Sequence, residues 1–159
     1  MILLNSKKRI ITLLIVLVSG IILFILDLGK TGLVDETPPL FAAAARAMSE
    51  SGDWLTPKVN GIFRFDKPPL IYWLMGFFYS LPKSEIWDSY GTISARLPSA
   101  LGSLFLMLMI GDTLFCWPQK GDRQFLTPIV ASLGFALSPL IIIWSRTAVS
   151  DALLTGTLG

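Results

Sequence analysis

The sequence contains no histidine and a single cysteine, Cys116, among its 159 residues. The absence of histidine excludes Ser–His and Cys–His catalytic pairs and histidine-bound zinc. One cysteine cannot form a disulfide within the chain or a cysteine-rich metal site. Any catalysis by this chain must therefore use carboxylates, lysine, arginine or hydroxyl groups.

Charged residues are also scarce. They make up 15% of the chain, whereas hydrophobic residues make up 53%; an average soluble domain has about 25% charged and about 45–50% apolar residues. The net charge is only +2, and no basic run exists beyond Lys7-Lys8-Arg9, which excludes nucleic acid as a partner. The apolar excess predicts an integral protein of the lipid bilayer.

Three segments are apolar and long enough to cross a bilayer, which takes about 20 residues. They are residues 10–28, 97–117 and 125–144. No small-residue cleavage site follows Leu26, so the first segment is interpreted as an uncleaved signal anchor rather than a signal peptide. Asp112 interrupts the second segment, and we interpret Asp112 and Cys116 as structural.

A fourth apolar segment, residues 68–82, has only 15 residues with proline at both ends. It could span the membrane, or lie at or re-enter its outer face. The positive-inside rule favours the second alternative, because three spans place both the basic residues 7–9 and the loop with Lys120 and Arg123 in the cytoplasm. The sequence thus predicts an all-α polytopic membrane protein with an extracytoplasmic loop, residues 29–67, that contains amphipathic helices.

This external loop carries signals of local structure. Thr37-Pro38-Pro39 is typical of a helix start, and Gly52 is typical of a helix end. Asn60-Gly61 predicts a turn. One apolar side of the predicted helix should lie on the membrane or against the helix bundle; it consists of Leu40, Phe41, Ala44, Ala45 and Met48.

Five motifs occur in order along residues 33–155: VDE, GDWLTP followed by NG, RFDKPPLIYWL, ARLPSALGSL and SRTAVSDALL. Together they resemble the membrane-embedded glycosyltransferases of the GT-C class. The most similar group is glycosyltransferase family 39 with its bacterial relatives, the protein mannosyltransferases and the aminoarabinose transferases of lipid A.

The resemblance implies an enzyme that transfers a sugar, with inversion, from a polyprenyl-phosphate donor to an extracytoplasmic hydroxyl. The acceptor could be a protein, lipid A or another glycan. Such enzymes have many more spans and usually a soluble C-terminal part. Residues 1–159 are therefore expected to form the N-terminal part of a multi-pass enzyme of a bacterial-type plasma (inner) membrane, inactive by itself.

The resemblance also implies catalytic roles for three acidic residues. Asp35 matches the position of the general base, Glu36 completes the acidic pair, and Asp151 matches a second acidic site residue. From the residues alone, the pair could equally be solvated groups before a capped helix, where acidic side chains favour the helix dipole. Asp151 could likewise be a charge at a membrane boundary.

Cations for the donor phosphate are expected at Lys67, Arg64 and Arg146, because arginine binds phosphate in a fork and lysine as a point charge. Lys67 could instead be an interfacial lysine that extends to the headgroups. Arg146 and Asp151 are expected to pair. Arg96 resembles a family position but could equally be an interfacial charge.

Asp66 is the only residue that suggests a cofactor, which would be a divalent cation. Relatives carry glutamate at this position, where an acidic residue has been linked to a divalent cation. One carboxylate without histidine is weak support for a metal site.

Two other functions stay open. One is a non-enzymatic membrane scaffold or interaction protein derived from a truncated homologue. The other, a transporter, is disfavoured because transport sites usually lie at mid-membrane, whereas Asp112 lies near the inner end of its segment.

Overall fold

The computed structural model describes residues 2–33, 37–65, 67–81, 91–117 and 123–158. Four predicted residues lie outside these ranges: Asp35, Glu36, Asp66 and Lys120. Their predicted roles are therefore carried forward as predictions.

Seven α-helices and one two-stranded antiparallel hairpin make up the part of the chain that is described. The elements are α1 (Ile2–Gly20), continued by a π-helical turn (Ile21–Ile25), α2 (Thr37–Ser51), β1 (Lys58–Val59), β2 (Ile62–Phe63), α3 (Pro69–Ser80), α4 (Ile93–Cys116), α5 (Arg123–Ala136), α6 (Pro139–Arg146) and α7 (Ser150–Leu158).

Among the described residues, two helical segments are long and apolar enough to cross a membrane, Ser6–Ile25 and Ile93–Cys116. They correspond to the first two predicted spans, and they agree with a helical membrane protein. The count becomes three only if α5 and α6 together form one span.

The predicted third segment, residues 125–144, is not one straight helix. Its two helices, α5 and α6, are bent by 67° relative to each other. The break falls at Ser138, whose ψ of 126° is extended. Pro139 explains this geometry, because proline has no amide hydrogen to donate and disfavours the helical conformation of the residue before it.

Within the apolar segment 68–82, residues Pro69–Ser80 form the short helix α3, and Pro82 lies outside the described residues. Twelve residues at about 1.5 Å each extend about 18 Å, which is less than the hydrocarbon thickness of about 30 Å. An interfacial position for this segment stays our prediction.

The prediction of an all-α fold is wrong in one place, because residues 58–63 form a β-hairpin. Lys58 pairs with Phe63 and Val59 with Ile62. The turn between the strands has positive φ at both Asn60 (52°) and Gly61 (79°), as a two-residue hairpin turn of the Asn-Gly type requires. The predicted turn at this dipeptide is confirmed.

Two apolar clusters hold the helices together. The first lies among α2, α3, α4 and α7 and includes Phe41, whose ring lies 5.5 Å from that of Tyr72. The second joins α1 and its π-helical turn to α4 and α5 around Phe24 and Met107. The predicted apolar side of α2 is largely confirmed, since all its members except Leu40 are buried.

Candidate functional site

After helix α1 and its π-helical turn, the chain continues through an irregular segment, residues 26–33, which we call the exit segment. After the π-helical turn, Asp27 adopts a positive φ of 60°, a conformation that an L-residue adopts rarely. The last carbonyls of a helix have no amide partner within it. They therefore need donors from elsewhere in the fold.

Two arginines donate hydrogen bonds here, one to a carbonyl of the π-helical turn and one to a carbonyl of the segment after it. Arg146, the last residue of α6, donates from Nη1 to the carbonyl oxygen of Leu23 at 3.0 Å. Arg96, in the first turn of α4, donates from Nη1 to the carbonyl oxygen of Leu28 at 2.8 Å. A cation near the C-terminal end of a helix also interacts favourably with the helix dipole.

Arg96 makes two further hydrogen bonds to the same exit segment. Its Nη1 donates to Thr31 Oγ1 and its Nη2 to the carbonyl oxygen of Gly32, both at 2.7 Å. The side chain is buried, with the whole residue 7% exposed. The alternative of an interfacial charge at Arg96 is therefore wrong. Burial of a guanidinium is tolerated here because it is hydrogen-bonded to two backbone carbonyl oxygens and one hydroxyl.

Both arginines line one open cavity of about 400 Å³. It lies where the exit of α1, the start of α2 and the α6–α7 connection meet. Its walls are formed by Thr31, Gly32, Leu33, Pro38, Arg96, Ile142, Ile143, Arg146, Thr147 and Ala148. Leu33 and Pro38 flank the VDE segment in the sequence, and both line the cavity.

Asp151 lies in the first turn of α7 and is exposed. The expected ion pair between Arg146 and Asp151 is wrong: both residues are described, and no salt bridge joins them. The carbonyl of Leu23 accepts from Arg146 instead. A carboxylate in the first turn of a helix is favoured by the helix dipole, so Asp151 has a local reason for its position.

Lys67 and Arg64 lie elsewhere, before helix α3. Lys67 is exposed. Arg64 lines a second concavity, of about 440 Å³, formed mainly by the hairpin. Neither residue lines the cavity of Arg96 and Arg146. The structure thus groups Arg146 with Arg96, a residue without an assigned role, rather than with the other two predicted phosphate ligands.

Two other acidic residues of the external loop have local partners. Glu50 accepts a hydrogen bond from Arg46 Nε at 2.8 Å on the exposed side of α2. Asp53 accepts from the Thr56 hydroxyl and from the backbone amides of Leu55 and Thr56. The hydroxyl of Thr56 is the main cause that lowers the pKa of Asp53 below its ordinary value. Asp53 therefore stabilises the turn after α2, whereas Glu50 is an ordinary surface residue.

No group of three or more acidic, cysteine or histidine residues in the described ranges could hold a metal ion. Asp66, the one residue that suggested a divalent cation in the sequence, lies outside them. We derive no step of the chemistry through a metal.

No family model matches the sequence, and no solved structure matches it. The chain is 24% identical over 143 residues to the undecaprenyl phosphate-alpha-4-amino-4-deoxy-L-arabinose arabinosyl transferase of Pseudomonas savastanoi pv. phaseolicola, covering 83% of the chain and 25% of that protein. It is 32% identical over 110 residues to the transferase of the same name from Shewanella sediminis, covering 67% and 19%.

A third relative is an uncharacterized protein of Aquifex aeolicus, 35% identical over 68 residues, which are 43% of the chain and 14% of that protein. The chain thus spans a quarter or less of the length of these curated relatives. Two distant homologues named as arabinosyl transferases support the resemblance to membrane glycosyltransferases at a coarse level. The likeness to mannosyltransferases stays a prediction.

Proposed function

We propose that this chain is part of a membrane-embedded glycosyltransferase that transfers a sugar from a polyprenyl-phosphate donor to a hydroxyl acceptor on the extracytoplasmic side of a bacterial plasma (inner) membrane. The names of two relatives support this class of donor, since both contain undecaprenyl phosphate and arabinosyl transferase. The two helices of membrane-spanning length support the membrane setting. Whether the transferred sugar is a pentose or a hexose, and which acceptor receives it, are properties of the full-length protein.

The observation that carries the proposal is the cavity shared by Arg96 and Arg146. Transfer from a lipid phosphate needs positive charge near the leaving phosphate, on which negative charge develops. It also needs a base beside the acceptor hydroxyl, which loses its proton. The cavity has two guanidinium groups in its wall, and it is lined by Leu33 and Pro38, which flank the VDE segment in the sequence. Both requirements can therefore be met in one place.

Arg146 is the cavity residue that we assign to the donor phosphate. Its guanidinium has five N–H donors, and one of them bonds to the carbonyl of Leu23. The structure records no second hydrogen bond of this side chain to any of the residues it describes. Donors thus remain for a phosphate oxygen, and arginine binds phosphate well because its donors form a planar fork.

Asp35 is proposed as the general base, with Glu36 beside it and Asp151 as a second acidic residue of the site. Lys67 and Arg64 are proposed as further contacts of the donor phosphate, at the membrane end of the external loop. The exposed position of Lys67 allows such a contact. A divalent cation at Asp66 is not needed for these assignments.

Substitution of Asp35 by Asn in the full-length protein tests the proposal. A general base contributes about 10²–10⁴-fold to the rate, and Asn keeps the shape of Asp without its basicity. We expect Asp35→Asn to reduce sugar transfer from a polyprenyl-phosphate donor in liposomes by about that factor. Glu50→Gln is the matched control, because Glu50 lies on the same external loop and pairs only with Arg46 among the residues described.

Equal activities of the Asp35 and Glu50 variants would remove the assigned base. A wild-type full-length protein that transfers no sugar from any such donor would contradict the enzymatic function as a whole. The scaffold function would then be the better explanation of the resemblance.

A further inference from the structure

We infer that Arg96 is a positioning residue that holds the segment leading from helix α1 to the VDE motif in the place that catalysis requires. The inference rests on the proposed function, because this segment leads to the proposed base, Asp35, and its residues Thr31, Gly32 and Leu33 line the cavity. Arg96 was not among the residues predicted to take part in the reaction.

The hydrogen bonds of Arg96 are directed at one short stretch of backbone. Their acceptors are the carbonyl oxygen of Leu28, the hydroxyl of Thr31 and the carbonyl oxygen of Gly32. The last of these residues is three positions before Asp35 in the chain. A buried guanidinium with three such contacts fixes the direction in which the chain continues.

A second side chain of the same helix end supports the arrangement. Thr92, just before α4, donates its hydroxyl to the carbonyl oxygen of Thr31 at 3.1 Å. The start of α4 therefore binds both the hydroxyl and the carbonyl oxygen of Thr31. Helix α4 is itself anchored in both apolar clusters, so the exit segment is held by a rigid element.

The exit segment has few backbone hydrogen bonds of its own. Leu28 donates to Ile25 at 3.1 Å and Lys30 to Asp27 at 3.3 Å. Asp27 also has an uncommon positive φ. The hydrogen bonds from Arg96 and Thr92 are therefore a large share of the contacts that hold this segment.

Lysine cannot replace arginine in this role. An ammonium group is a point donor on a flexible stem, whereas the guanidinium presents its donors in a fixed plane. The acceptors of Arg96 are divided between Nη1 and Nη2. Lysine would keep the charge but could not bond to all three oxygens in the observed directions.

The experiment measures backbone hydrogen exchange and steady-state transfer in the full-length protein. We expect Arg96→Gln to speed exchange of the Leu28 and Lys30 amides, which are hydrogen-bonded within residues 25–30, by roughly tenfold or more, because losing the hydrogen bonds from a charged group makes local opening of this segment easier. We expect the kcat for sugar transfer per folded molecule to fall by about 10²-fold, since small misplacements of a reacting group have such effects. The KM for the donor should change less than the kcat, because Arg146 and not Arg96 is assigned to the donor phosphate.

Arg96→Lys should recover part of the lost kcat but not the wild-type value, and Arg46→Gln is the control. Arg46 is an exposed arginine of α2 that pairs with Glu50, so its loss should leave both transfer and exchange at residues 28 and 30 unchanged. If Arg96→Gln does not fold, Thr31→Val removes one acceptor of the same contact and should give a smaller effect in the same direction.

Unchanged exchange at residues 28 and 30 in a folded Arg96 variant would refute the contact. Faster exchange with unchanged kcat would refute the positioning role, and so would a loss that appears only as less folded protein. An inactive wild-type protein would instead refute the proposed function, and the exchange data would still decide whether Arg96 holds the segment.

Discussion

Arg9 of α1 and Asp112 of α4 form a two-pronged ion pair, in which Nε–Oδ1 and Nη2–Oδ2 are both 2.7 Å. The pair joins two segments that are 103 residues apart in sequence. Both carboxylate oxygens of Asp112 accept from Arg9, which agrees with the structural interpretation of Asp112. A charge held in this way is also a poor candidate for a transport site.

A double-mutant cycle tests the strength of this pair. The two side chains are 47% and 31% exposed, so we expect a small favourable coupling energy that becomes weaker as the salt concentration rises. The cycle uses Arg9→Gln, Asp112→Asn and the double variant, each unfolded at equilibrium in detergent. Additive effects of the two substitutions would show that the pair adds nothing to stability.

The crossing of α4 and α7 leaves no room for a side chain at Gly156. A Cβ built there would overlap the carbonyl of Gly102, whose carbon would be only 2.7 Å away. We expect Gly156→Ala to lower the free energy of unfolding by about 1–3 kcal/mol, the usual effect of overpacking. Equilibrium unfolding in detergent measures it.

Gly134 provides the matched control for that experiment. It lies in α5, it is exposed, and a Cβ there meets nothing within 4 Å. Because alanine favours helix over glycine by about 1 kcal/mol, Gly134→Ala should be neutral or stabilising. Equal losses of stability in the two variants would contradict the tight crossing.

The features that could be predicted from the sequence are those with local signals. The start of α2 follows from Thr37-Pro38-Pro39, and the hairpin turn follows from Asn60-Gly61, because proline and the Asn-Gly dipeptide restrict the backbone by themselves. The strands beside the turn were missed because each has only two residues, too few for a period to be seen.

The role of Arg96 could not be predicted, because its hydrogen-bond partners are between 64 and 68 residues away in the sequence. An arginine at the start of an apolar segment is equally compatible with an interfacial charge, and only the fold distinguishes the two. The bend at Ser138 had a local signal in Pro139. The prediction nevertheless missed the bend, because residues 125–144 carry no charge and were interpreted as one continuous span.

The three-span topology predicts that positions 35 and 151 face the outside and position 120 faces the cytoplasm. Single cysteines at these positions, in a Cys116→Ser background, would be labelled with an impermeant thiol reagent in intact cells. We expect labelling at 35 and 151 only, because the positive-inside rule retains the basic loop that contains position 120. Labelling at 120 together with protection at 151 would require a fourth span.

The predicted contact between Lys67 and the donor phosphate gives the final test. Lys67 is exposed just before α3, so Lys67→Ala should leave the unfolding transition unchanged. A charge-assisted hydrogen bond to phosphate is worth about 1.5–3 kcal/mol, so the KM for a polyprenyl-phosphate sugar should rise by roughly tenfold or more. Lys58→Ala removes another partly exposed cation of the same loop, one that lies 3.6 Å from Asp53, and should leave the KM unchanged. If the two variants use the donor equally well, Lys67 is an interfacial lysine, and the donor phosphate must be bound by Arg146 and its neighbours in the cavity.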